Sequence, residues 1–197
     1  MKQTIREKCF ETNSSSYHTL TIQKIKNDIP RKEIKKGEDL IINEKITYKT
    51  IGYTESYCYT GRSTYEKAQL VLRFMGYVLE EQLDALVDRD SYENSDDSWD
   101  YEKRNSIMKE KFYEAPLIKA FVKAIKRYIG EDFNVIIEFS QEYPPFIETV
   151  GDESKSLYEL LEINKEDLND VDILTDKFYN IIFDNSIEMI EECESNE

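Results

Sequence analysis

At 197 residues, with 40% hydrophobic side chains, 14 Tyr and 9 Phe against only 4 Pro, the chain can bury a core without a metal or disulfide staple. That composition excludes the low-complexity and linker-dominated classes. The formal net charge of −15 and the absence of an apolar run near 18 residues exclude a membrane-spanning helix and disfavour binding to phosphate backbones.

In chain order, Tyr17 to Ile25 alternates Leu20 and Ile22 with Thr19, Thr21 and Gln23, the period-2 pattern of a half-buried strand, and places His18 on the face of Leu20 and Ile22. Pro30 and Gly37 punctuate a charged connector, after which Asp39 to Ile42 and Ile46 to Ile51 read as two short strands. The stretch from Tyr53 to Tyr59 fits neither period. From Ser63 or Thr64 as N-cap, Ala68, Val71, Leu72, Met75, Val78, Leu79 and Leu86 recur at helical spacing and predict one helix of about 20 residues, weakened at Gly76. The aperiodic polar stretch from Asp90 to about residue 103 predicts an exposed, mobile loop.

A second helix is specified by Pro116 in its first turn, by the stripe Leu117, Ile118, Phe121, Val122, Ile125, Tyr128 and Ile129, and by Gly130 as the residue that ends it. Its start can extend back to Ser106 with a kink at Pro116. Phe133 to Phe139 then reads as a central strand, Ser156 to Glu162 as a short helix, and Phe178 to Phe183, rich in aromatic and β-branched residues, as the last strand. Ile187 to Ile190 is expected as a hairpin partner or a terminal helix, with Glu191 to Glu194 fraying. Strands at both ends and helices between them predict a single α+β domain over residues 1–197, with a mixed or antiparallel sheet and two main helices.

The charge is unevenly distributed. Residues 1–89 hold 15 Lys/Arg against 13 Asp/Glu, residues 90–130 hold 8 against 8, and residues 131–197 hold 3 against 20. An acidic last third repels phosphate backbones, so direct nucleic-acid binding through it is not expected, and it attracts basic protein surfaces. The simplest purpose of such a surface is solubility. The sharper reading is a docking face, with Glu138, Glu142, Glu148, Asp152, Glu153, Glu159 and Glu162 as its candidate carboxylates.

A second candidate site is Asn13-Ser14-Ser15-Ser16-Tyr17-His18, which puts three serine hydroxyls beside the one histidine of the chain. In an extended strand Ser16 and His18 share a face, within reach of a serine–imidazole pair or of a ligand held by both. The bland reading is that Asn13 and the serines bond to the local backbone and that His18 is a hydrogen-bonded structural residue. Cys9, Cys58 and Cys193 contain no C-x-x-C pair, which suits reduced thiols, and with His18 they lack the closely spaced pairs of a structural zinc site. Asp88 to Tyr92 departs from the EF-hand pattern at its fifth position, and the single, scattered glycines match no phosphate-binding loop. No cofactor and no metal are therefore expected. Tyr48, Tyr53, Tyr57, Tyr59 and Tyr65 suit an interface or base stacking, with packing as the default.

The segment Phe10-Glu11-Thr12-Asn13-Ser14-Ser15-Ser16 followed by His18 resembles an FETNSSSxH segment near the start of uncharacterised proteins of bacteriophages and bacterial mobile elements. The resemblance covers ten to fifteen residues and brings no assigned activity with it. What it implies is context: an accessory protein in the cytoplasm of a bacterial host, where small acidic proteins bind and block host or defence proteins. The expected function is thus non-enzymatic binding to a basic protein, itself a candidate nucleic-acid binder. The alternatives are an enzyme or small-molecule binder using Asn13 to His18, and a structural virion component.

Overall fold

The computed structural model describes residues 3–8, 15–24, 32–43, 49–50, 57–87, 101–138, 157 and 161–196. Its elements, in chain order, begin with β1 (Gln3–Lys8), β2 (Ser15–Lys24), β3 (Leu40–Asn43), β4 (Lys49–Thr50) and β5 (Tyr57–Gly61). The helices α1 (Thr64–Phe74), α2 (Gly76–Leu86), α3 (Tyr101–Lys111) and α4 (Pro116–Ile129) follow, then β6 (Val135–Glu138), α5 (Val171–Phe183) and β7 (Ile187–Asn196). The fold is α+β, as the segregation of strand and helix patterns predicts.

Two sheets form. The larger is antiparallel throughout, in the order β1-β2-β7-β5-β4, and the smaller pairs β3 with β6 in parallel. The last strand of the chain therefore lies at the centre of the large sheet, bonded to β2 on one side and β5 on the other. The β2–β7 ladder runs from Ser15 opposite Asn196 to Lys24 opposite Ile187. The expected fraying of Glu191 to Glu194 is corrected by this pairing, because both edges of β7 have a strand to bond to. Phe133 to Phe139 contributes β6, whose partner strand among the described residues is β3.

Ser63 caps α1 through a capping box: its hydroxyl accepts from the Glu66 N–H at 3.1 Å, and the Glu66 carboxylate accepts from the Ser63 N–H at 3.0 Å. Glu33 adds a second carboxylate at the same helix start, accepting from the Thr64 N–H at 3.0 Å. The predicted 20-residue helix is two, broken at Met75, and Gly76 opens the second. Gly61 lets α1 pack against the end of β5. A Cβ there would stand 2.8 Å from the Leu70 Cδ1 and 3.3 Å from the Glu66 backbone.

The α4 pattern is realised as read. Leu117, Ile118, Phe121, Ile125 and Ile129 are buried, Pro116 occupies the first turn, and Gly130 ends the helix at φ +118°. Gln82 ties three elements at the start of α4, accepting from the Leu117 N–H at 3.0 Å and donating to the Leu168 carbonyl at 2.9 Å. Arg104 fastens α3 to α2 by donating to Asp84 at 2.6 Å. Burial pulls that guanidinium down, but the hydrogen bonds and charges of Asp84 and Glu80 outweigh it and hold it above its ordinary value.

The clearest correction concerns Phe178 to Phe183, which belongs to the helix α5 and not to a strand. Leu174, Phe178 and Ile182 are buried at a spacing of four, the core face of a helix, and Asp170 caps it by accepting from the Asp172 and Ile173 N–H groups. Local β-propensity was overridden by this face, which packs on α4, with the Phe121 and Phe178 rings edge to face at 6.1 Å. Leu157 and Leu161 are helical and buried, matching the expected short helix at the positions described.

Candidate functional site

The serine and histidine segment enters the sheet. Ser15, Ser16 and His18 lie in β2, while Asn13 and Ser14 lie outside the described residues. β2, β1 and β7 are described here by backbone and register. Ser16 stands opposite Ser195, and His18 has Glu7 of β1 on one side and Cys193 of β7 on the other. β5 extends the same row with Tyr57 opposite Cys193, and β4 ends it with Thr50 opposite Tyr57. Residues directly opposed on neighbouring strands share a face of the sheet, about 4.5–5.5 Å apart at Cα. The row therefore gathers a carboxylate, an imidazole, a thiol and a phenol from four strands. Sequence reasoning singled out His18, set Cys193 aside for want of a closely spaced partner and missed Glu7, because no local pattern signals a pairing between the two ends of a chain.

The predicted acidic docking face is described at two of its positions. Glu138 ends β6 and Glu162 precedes the 3₁₀ turn Lys165–Asn169 at φ +50°; both are exposed. Glu142, Glu148, Asp152, Glu153 and Glu159 lie outside the described residues. To Glu162 the structure adds four carboxylates that the candidate set omitted: Glu166, Asp170, Asp172 and Asp176 are exposed with it along the segment that leads into and through α5. Part of this acid is used locally: Asp167 accepts from the Asn164 N–H, Asp170 caps α5, and Lys123 and Arg127 of α4 pair with Asp172 and Asp176 at 2.6 and 2.7 Å. Among the described residues, no cation pairs with Glu162 or Glu166.

A third polar group sits where α5 meets β7. Glu188 is buried and accepts from the Arg62 guanidinium at 2.6 Å, and the buried Lys67 of α1 donates to the Asp184 carbonyl at 2.6 Å. The Asp184 carboxylate accepts from the Ser186 hydroxyl at 2.7 Å and from its N–H at 2.8 Å. The Ser186 hydroxyl is the main reason its pKa falls below the usual carboxylate value; partial burial opposes this, and the Ser186 N–H and the Lys67 charge assist it. A depressed carboxylate stabilises the fold above its unfolded-state value, about 3.9, and that stability is lost as pH falls toward the lower folded-state value. Urea denaturation between pH 5 and pH 3 is expected to show a smaller loss of stability in Asp184→Asn than in the wild type. Equal slopes would show that Asp184 is not among the groups that protonate on acid unfolding.

Of the tyrosines, Tyr65 is buried beneath the Lys32 ammonium, 3.4 Å from its ring centre, and Tyr57 and Tyr59 lie in β5. Tyr48 and Tyr53 lie outside the described residues. Among the described residues no helix is long and apolar enough to cross a membrane, and no three His, Cys, Asp or Glu side chains are placed to hold a metal ion. Comparison of the chain with protein-family models, curated proteins and solved structures finds no match.

Proposed function

We propose that the chain is a non-enzymatic interaction protein of a phage or mobile element, acting in a bacterial host by docking its acidic C-terminal third on a basic partner protein. The observation that supports this reading most is the run of exposed carboxylates Glu162, Glu166, Asp170, Asp172 and Asp176, against only Lys165 and Lys177 on the same stretch. Lys123 and Arg127 neutralise two of the five, which leaves a negative field around the start of α5. Such a field speeds encounter with a basic surface and selects against acidic ones. A surface that carries the charge of a phosphate backbone suits a partner that itself binds nucleic acid.

The test is capture from a nuclease-treated bacterial lysate with the tagged chain at low and high salt. A basic protein is expected at low salt, with affinity falling on the order of tenfold or more at high salt. Glu162→Gln combined with Glu166→Gln, two positions outside the helix caps, should weaken that binding without changing the denaturation midpoint. Binding indifferent to both salt and these substitutions would overturn the reading.

A further inference from the structure

We propose that the open face of the β3–β6 sheet, centred on Ile41 and Ile136, is a docking surface for an amphipathic basic helix of a partner protein. The two strands alternate: Leu40, Ile42, Val135 and Ile137 are buried against the core, while Ile41 and Ile136 stand directly opposite each other on the other side, 51% and 44% exposed. Tyr113, in the 3₁₀ turn Phe112–Glu114, is 47% exposed and brings a third large apolar side chain to the sheet, its hydroxyl accepting from the Ile137 N–H at 3.1 Å. Three of the five large hydrophobic side chains exposed among the described residues thus meet in one place.

The occupant follows from the kind of sheet and from the charges at its ends. Parallel sheets are almost always covered on both faces, usually by helices, and Leu40-Ile41-Ile42 and Val135-Ile136-Ile137 have the continuous apolar character of such strands. A third strand is a poorer fit, because side chains already occupy backbone groups of both strands: Tyr113 at Ile137, and Gln69, whose amide donates to the Asn43 carbonyl at 2.8 Å. The isoleucine pair lies between two carboxylates, Asp39 just before β3 and Glu138 at the end of β6. Asp39 accepts from the Asn134 N–H at 2.7 Å, and that bond, with one from the Asn134 side chain, holds its carboxyl below its ordinary value. Glu138 is exposed, and among the described residues no cation pairs with either carboxylate. An apolar centre with a carboxylate at each end fits a helix whose apolar stripe is flanked by Lys or Arg. It disfavours a second copy of this chain, which would set the same carboxylates against one another. The inference rests on the proposed docking function for the basic character of the partner, and on none of the carboxylates around α5.

Fluorescence anisotropy of the full-length chain with a labelled helical peptide of leucine and lysine, its leucines on one face, tests this. A second peptide with serine in place of leucine carries the same charge and reports attraction by charge alone. The wild type is expected to bind the leucine peptide at least about tenfold more tightly than the serine peptide. Ile41→Thr combined with Ile136→Thr, which keeps β-branched residues in both strands, should weaken binding of the leucine peptide about tenfold, with the urea midpoint confirming that each variant is folded. Glu162→Gln combined with Glu166→Gln should change it by no more than about twofold, since those carboxylates lie outside the surface. Loss of binding in that variant but not in the isoleucine variant would overturn this inference while leaving the docking reading in place. No binding by the wild type, equal binding of the two peptides, or sedimentation showing a dimer that the isoleucine substitutions dissolve would also overturn it, the last by naming a second copy as the occupant.

Discussion

Phe178→Ala is expected to lower stability by about 3–5 kcal/mol, the range for removing a buried aromatic ring from a packed core. Phe178 is fully buried at the centre of the α4–α5 interface, with its ring 6.1 Å from that of Phe121 at an interplanar angle of 77°. Leu174 and Ile182, one turn to either side, are equally buried and extend the same face. The substitution therefore removes both the transfer energy of the ring and an edge-to-face pair, in a place where two rigid helices leave little room to collapse. Urea denaturation measures the loss directly. Ile173→Ala, on the exposed side of the same helix, should stay within about 0.5 kcal/mol. A similar cost at both positions would argue against Ile173 lying on the exposed side of α5.

Lys67→Ala is expected to cost about 3–5 kcal/mol, from a carbonyl left without its donor together with the cavity left by the buried stem. Lysine is almost never fully buried unless its ammonium is engaged, yet Lys67 is among the most buried side chains in the molecule. Its ammonium donates at 2.6 Å to the carbonyl of Asp184, the residue that caps α5 at its C-terminus. That end of a helix presents unsatisfied carbonyls and the negative pole of the dipole, so a cation there both bonds and neutralises. α1 thus holds the turn between α5 and β7, and with it the entry of the last strand into the sheet. Lys67→Met keeps most of the apolar stem and should cost less, about 1–3 kcal/mol for the carbonyl left without its donor. Equal losses for the two variants would show that the ammonium, and not packing of the stem, is what matters.

The acidic third of the chain serves two purposes in the fold. Asp170 and Asp184 are engaged at the two ends of α5, and Asp172 and Asp176 bind it to the basic side of α4. Charge that composition assigns to the surface as a whole is thus partly structural. Glu162 and Glu166 form the part of the described surface with the strongest claim to a partner, which is why the docking test is placed on them.

Local pattern by itself determined the elements whose signals are complete within one turn or one strand. The helix start at Ser63 or Thr64, the Pro116 to Gly130 helix with its apolar stripe, and the strands around His18 and at Leu40 were legible because caps, helical period and strand alternation act between near neighbours. Phe178 to Phe183 was misread because its residue types favour a strand in isolation, while its burial at every fourth position depends on α4 being there to receive it. The tertiary structure alone decided where β7 goes. A strand carrying Glu188, Glu191, Glu192 and Glu194 has no apolar pattern to announce it, and it forms because β2 and β5 offer two edges to its backbone. That one placement sets Cys193 beside His18 and buries Glu188 against Arg62. Hydrogen-bond register between distant segments has no local signature, so the row of Glu7, His18 and Cys193 became visible only when the two ends of the chain were paired.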